Sequence, residues 1–103
     1  MKKTYEVVYN GDYGGFYLDD EHEEWLLNHG FPPEYIDDVR YGSDHRLRSH
    51  PLLVQCVKEM NKKGVSDLAI EKVPEGEGYY IGEYDGLETV ITKAYFVEQW
   101  KDE

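Results

Sequence analysis

Little in this sequence could carry disulfide, membrane or polyanion-binding chemistry. It has one cysteine, Cys56, which excludes an internal disulfide. A small domain without one fits a reducing compartment. No stretch approaches the ~18 apolar residues of a membrane-spanning helix. Met1, Lys2 and Lys3 lead into Thr4 and Tyr5 with no apolar segment, so no signal peptide is expected and the expected location is a cytoplasm. Positive charge is scarce: 11 Lys and Arg stand against 22 Asp and Glu, a net charge of −11. A field of that sign repels duplex nucleic acid and anionic membranes. It leaves three partner types: basic proteins, small molecules held in a local pocket, or nucleic-acid-binding proteins deceived by an acidic surface. Aromatics are not scarce. They make up 15% of the 103 residues, ten of them Tyr, which a solvated chain would not carry. The length fits one domain, residues 1–103.

Along the chain, residues 5–9 alternate apolar and polar and predict a strand. Asn10 to Gly15 is a glycine-rich loop. Asp19 or Asp20 can cap a helix whose first turn holds Glu21, Glu23 and Glu24 and whose buried side is Trp25, Leu26 and Leu27, with Gly30 as its stop. Pro32 and Pro33 forbid immediate continuation, so residues 34–44 read as a turn or short helix followed by loop. Ser49 is a suitable N-cap for a second helix, with Pro51 in its first turn and an apolar stripe of Leu53, Val57 and Met60. Residues 68–73 predict a strand, and Asp85-Gly86 between residues 79–84 and 87–93 predicts a type I′ hairpin. Residues 95–100 fit either a strand end or a docking tail. The expected fold is α+β: a small, mostly antiparallel sheet of about four strands with two helices on one face.

The positive charge is unevenly placed. All three arginines, Arg40, Arg46 and Arg48, fall within nine residues, with His45 and His50 interleaved. Three arginines against Asp44 give residues 40–50 a charge of +2, which leaves −13 on the rest. A guanidinium grips phosphate or carboxylate oxygens in pairs and stacks on rings. Arg46 and Arg48 just ahead of a Ser49-capped helix would face free backbone N–H groups and the positive end of the helix dipole, an arrangement suited to a phosphate. Pairing with carboxylates such as Asp37, Asp38 or Asp44 explains the same cluster equally well. In the glycine loop, Gly14 and Gly15 allow close backbone approach, and Tyr13 and Phe16 could supply a stacking surface for a nucleobase. A plain turn with Phe16 in the core is the simpler account of that loop. Tyr79, Tyr80 and Tyr84 fit sheet packing or a subunit contact.

The search for catalytic groups is mostly negative. His22 and His29 are seven residues apart on one helix, too far apart to share a metal. There is no His-Glu-x-x-His, no paired cysteines and no calcium loop. Cys56 lies on the apolar stripe, not in the basic, exposed setting of a nucleophile. Five acids around His22 fit a solvated helix start. No enzyme, metal or cofactor is expected.

Three short motifs, Gly14-Gly15-Phe16-x-Leu18, Arg48-x-x-Pro51-x-Leu53-Val54 and Glu83-Tyr84-Asp85-Gly86-x-Glu88, resemble a family of small acidic proteins from phages and large DNA viruses, and through it the phage anti-CBASS sponge family. That resemblance implies a viral, immune-evading homo-oligomer, a dimer or tetramer, that sequesters a cyclic dinucleotide such as cyclic GMP-AMP in the host cytoplasm without cleaving it. It carries over Arg48, Gly14, Gly15 and Phe16 as ligand-contacting positions. Arg46, His45, Tyr13 and Ser49 join them on local chemistry alone. His50, which precedes Pro51, departs from the acidic residue usual there.

Three functions compete at this level. The first is a cyclic-nucleotide sponge that binds no nucleic-acid polymer and no membrane. The second is an acidic DNA mimic that inhibits a host nucleic-acid-binding protein, favoured by the charge of −11 and opposed by the arginine island. The third is a small hydrolase with His45 or His50 as general base, opposed by the lack of a metal motif or nucleophile.

Overall fold

The computed structural model describes residues 3–12 and 14–92. Tyr13, Trp100 and the expected segment at residues 95–100 lie outside them. The order is β1 (Thr4–Tyr9), α1 (Asp20–Asn28), a 3-10 turn (Pro33–Tyr35), α2 (Ile36–Arg40), a second 3-10 turn (His45–Ser49), α3 (Pro51–Lys62), β2 (Ala69–Pro74), β3 (Tyr80–Tyr84) and β4 (Leu87–Ile91). The class is α+β, with four antiparallel strands among the described residues. They do not form one sheet. β1 pairs with β2 and β3 pairs with β4, as two separate two-stranded ladders.

Two consecutive buried valines in β1, Val7 and Val8, explain the layering. Successive strand residues face opposite sides. Val8, opposite Ile70 on β2, joins the helical core of Leu18, Leu26, Leu53, Val57 and Met60. Val7 faces the other way, into a second cluster with Val73, Ile81 and Val90, flanked by Tyr5, Tyr9 and Tyr79. The β1–β2 ladder is therefore the middle layer, with helices on one face and the β3–β4 hairpin on the other. A two-stranded ribbon is marginal in water. Each ladder here gains its burial from the other.

The helix caps follow the local chemistry. Asp19 caps α1: its carboxylate accepts from the His22 N–H, and the His22 ring reaches back to the Asp19 N–H, a reciprocal capping box. Ser49 does not cap α3. It ends the preceding 3-10 turn, and His50 is the cap, its Nδ1 accepting from the Leu52 N–H at 3.1 Å. Pro51 has no N–H to offer, so the first turn of α3 presents less to an anion than the sequence alone implies. Among the described residues, no helix is long and apolar enough to cross a membrane.

Candidate functional site

The three arginines do not converge. Arg40 donates to Asp20 at 2.7 Å, to the Tyr17 hydroxyl at 2.7 Å and to Glu23 at 3.3 Å, on the outer side of α1. Arg46 makes a two-pronged contact with Asp44, at 3.0 and 2.9 Å, and its side chain is 91% exposed. Arg48 is 1% exposed.

Arg48 is the centre of a buried clasp. Its guanidinium holds both Glu88 oxygens, at 2.7 and 2.8 Å, and donates to the Val8 and Gly42 carbonyls at 3.3 and 3.2 Å. The Phe16 ring lies 3.7 Å from its central carbon, within cation–π range. Glu88 Oε1 also accepts from the Asn10 N–H at 2.8 Å, and the Glu88 N–H donates to the Asn10 carbonyl at 2.9 Å. Burial alone would raise the Glu88 carboxyl. The Arg48 and Asn10 donors outweigh it and hold the group below the usual carboxylate range. Two glycines make the assembly fit. At Gly42, φ is +69°, and a Cβ would fall 2.6 Å from the Phe16 ring. At Gly86, φ is +87°, and a Cβ would fall 2.7 Å from the Gly15 nitrogen. The glycine loop, the Arg48 turn and the hairpin tip, which are the three motifs of the resemblance, thus meet in one closed interior cluster.

Arg48 is therefore placed inside the protein, with the partly buried Phe16 ring against its guanidinium, against the expectation of a solvent-facing pocket. The physical reason is that Glu88, forty residues away in sequence, supplies a complete carboxylate partner. Gly14 and Gly15 border a different, polar pocket beside α1.

The structure does bring together His45, Arg46 and Ser49. They border a groove lobe of about 340 Å³ completed by Tyr5, Gly78, Tyr79 and Tyr80. A second lobe of about 330 Å³ adjoins it, walled by Glu6, Pro51, Val54, Gln55 and Lys58, and shares Tyr5 and Ser49 with the first. The aromatic wall is braced. The Tyr79 hydroxyl donates to the His45 carbonyl at 2.5 Å and lies 3.4 Å from Ser49 Oγ. The Tyr5 hydroxyl donates to the Glu77 carbonyl at 2.6 Å, and the two rings are 6.2 Å apart. Burial, then the neighbouring Tyr79 and Glu77, raise the Tyr5 hydroxyl above the ordinary phenol range. Tyr80 is 51% exposed in the same lobe. Each lobe holds one cation with an acidic neighbour at the surface: Arg46 with Asp44, and Lys58 with Glu6 at 2.8 Å. Tyr5 and Lys58 gave no sequence signal as site residues, because one reads as a strand residue and the other as a solvated helix position.

Cys56 is fully buried, and burial, with Glu59 and Asp19 nearby, pushes its thiol up to about 12. The His29 ring stacks on Trp25 at 3.6 Å. Among the described residues, no group of three or more His, Cys, Asp or Glu could hold a metal ion. Comparison of the chain with protein-family models, with curated proteins and with solved structures finds no match.

Proposed function

We propose that the protein is a non-catalytic binding protein that sequesters a cyclic dinucleotide, such as cyclic GMP-AMP, in the two-lobed groove. It would act as an anti-defence sponge in a host cytoplasm. The observation that carries the reading is the groove itself: two lobes of similar size meet at Tyr5 and Ser49, with one cation in each and tyrosine rings along one side. A cyclic dinucleotide carries two phosphates and two bases. Arg46 and Lys58 would each take a phosphate, exchanging a surface carboxylate for it. That exchange costs little because exposed ion pairs are weak. Tyr80, with Tyr79 behind it, supplies the stacking face. Ser49 Oγ and the His45 ring add polar contacts at the junction. The positions that the resemblance implies as ligand contacts, Arg48, Gly14, Gly15 and Phe16, do not line this groove. In this reading the three motifs hold the scaffold, and the ligand touches the groove beside them.

Both lobes are open, so a second copy closing over the groove would enclose more of the ligand. Exposed tyrosines such as Tyr84, 77% accessible at the hairpin tip, suit a contact between copies. The test is to incubate the protein with a panel of cyclic dinucleotides, remove free ligand, denature by heat and assay what is released. Intact ligand at a fixed ratio to protein is the expected result. A cleaved product would replace the sponge with a hydrolase. Absence of retention for every member of the panel would remove the reading.

A further inference from the structure

We propose that Asn10 is a self-modification site: its side-chain amide is lost in a slow deamidation that the buried Arg48–Glu88 clasp holds in check. The chain has three asparagines, and Asn10 alone is followed by glycine. In this reaction the Gly11 backbone nitrogen attacks Asn10 Cγ. The Cγ–Nδ2 bond breaks, ammonia leaves carrying the Gly11 amide proton, and a cyclic imide remains. Water then adds to either carbonyl of the imide and opens it to an aspartyl or an isoaspartyl residue. Solvent water is the only co-reactant. Glycine has no Cβ to shield its nitrogen, so this dipeptide is the most reactive place for such chemistry.

The fold ties this reaction to the clasp. Asn10 is 7% exposed. Its Nδ2 donates to the Asp12 carbonyl at 2.6 Å and to the Gly86 carbonyl, at the hairpin tip, at 2.9 Å. Its own N–H and carbonyl pair with Glu88 at 2.8 and 2.9 Å, and Glu88 is held in turn by Arg48. Closing the imide ring draws Cγ onto the Gly11 nitrogen and takes Nδ2 off both carbonyls, so the reaction proceeds from an opened clasp. Chemistry slower than that opening and closing runs in proportion to the open population. The product cannot remake the contact. A carboxylate only accepts, so the Asp12 and Gly86 carbonyls lose their donor, and a second negative charge is placed at the Arg48–Glu88 pair. An isoaspartyl linkage also lengthens the main chain between the N–H and the carbonyl that pair with Glu88. The change is therefore one-way: it removes the restraint that held it back.

Peptide mapping by mass spectrometry tests this. The unaltered protein is incubated at neutral pH, folded and in guanidinium chloride, and the Asn-to-Asp mass gain is assigned by fragmentation. Asn28, exposed on α1 and followed by His29, is the control within the same tryptic peptide. The expected result is a gain confined to Asn10 that is about tenfold or more slower in the folded protein than in the unfolded one. Glu88→Gln weakens the clasp and should speed the folded rate roughly tenfold. Where that variant fails to fold, denaturant below the unfolding transition should speed the rate of the unaltered protein instead. Gly11→Ala should keep the fold, because the added Cβ meets only ordinary contacts with Ala69 at 3.5 Å and the Tyr9 ring at 3.6 Å, and it should slow the gain in the unfolded chain. Asn10→Asp, which reproduces the aspartyl product, should lower Tm by about 4 °C or more. Equal rates in the folded and unfolded protein would overturn the gating by the clasp. A gain at Asn28 in place of Asn10 would overturn the site, and an unchanged Tm in Asn10→Asp would overturn its consequence.

Discussion

Arg46 and Arg48 are two residues apart on the same 3-10 turn and have opposite surroundings. One side chain is 91% exposed against Asp44, and the other is 2% exposed against Glu88. Both meet a carboxylate with two-pronged geometry, yet the energetics differ. An exposed pair trades one set of hydrogen bonds for water at little cost in either direction. A buried pair has already surrendered its hydration, and neither partner can leave without stranding the other. The turn therefore sorts its arginines. Arg48 locks the hairpin to β1 and the glycine loop, while Arg46 remains available to exchange its partner for a ligand.

The sharpest way to break this contrast is to cut the clasp. Arg48→Ala strands Glu88 and is expected to cost about 3–5 kcal/mol, lowering Tm by about 12 °C or more for a chain of this size. Arg48→Met combined with Glu88→Leu should cost less than either single change, because no uncompensated charge remains. Thermal unfolding of Arg48→Ala, of the double variant and of its two single variants checks both statements, and a double variant worse than the singles would count against the electrostatic explanation. Gly86→Ala comes next. The added methyl meets the Gly15 nitrogen at a backbone angle that L-residues disfavour, and a loss of roughly 1–3 kcal/mol is expected in denaturant titration.

The pH dependence sharpens the contrast further. The Glu88 carboxyl sits below its ordinary value in the folded state. Its contribution is present above the unfolded value, about 4.3, and is lost as pH falls through the folded one. Stability measured in denaturant should decline with acid below about pH 4.3, and Glu88→Gln should flatten that decline. A variant with an unchanged slope would show that Glu88 is not the titrating group. Salt has the smallest expected effect. Moderate salt should leave dinucleotide affinity unchanged or slightly improved, because screening the anionic surface offsets screening of two local cations. A steep loss with salt, followed by titration, would indicate a broader cationic surface than the groove offers.

Much of the architecture was legible in the sequence. The β-branched and aromatic run of β1, the cap at Asp19, the apolar stripe of α3 and the Asp85-Gly86 turn all depend on neighbours within a few residues, where local propensity, periodicity and turn chemistry operate. The division of four strands into two ladders was not, because it depends on which face of Val7 and Val8 meets which layer. The arginine cluster was visible as a cluster, and Asp44 was correctly among the carboxylates weighed as partners. Its division into a buried and an exposed member was not visible, since Glu88 and Arg48 are forty positions apart and composition carries no information on that pairing. The cap at His50 was missed for a local reason: serine is the commoner cap, yet here Pro51 fixes the helix start one residue later.

The most direct test is calorimetric titration of Arg46→Ala with a cyclic dinucleotide that the unaltered protein retains. The expected result is an unchanged Tm together with affinity reduced roughly tenfold to a hundredfold, the value of hydrogen bonds to a charged group. Undiminished affinity in a folded Arg46→Ala protein would contradict the division of labour between the two arginines and place the ligand elsewhere.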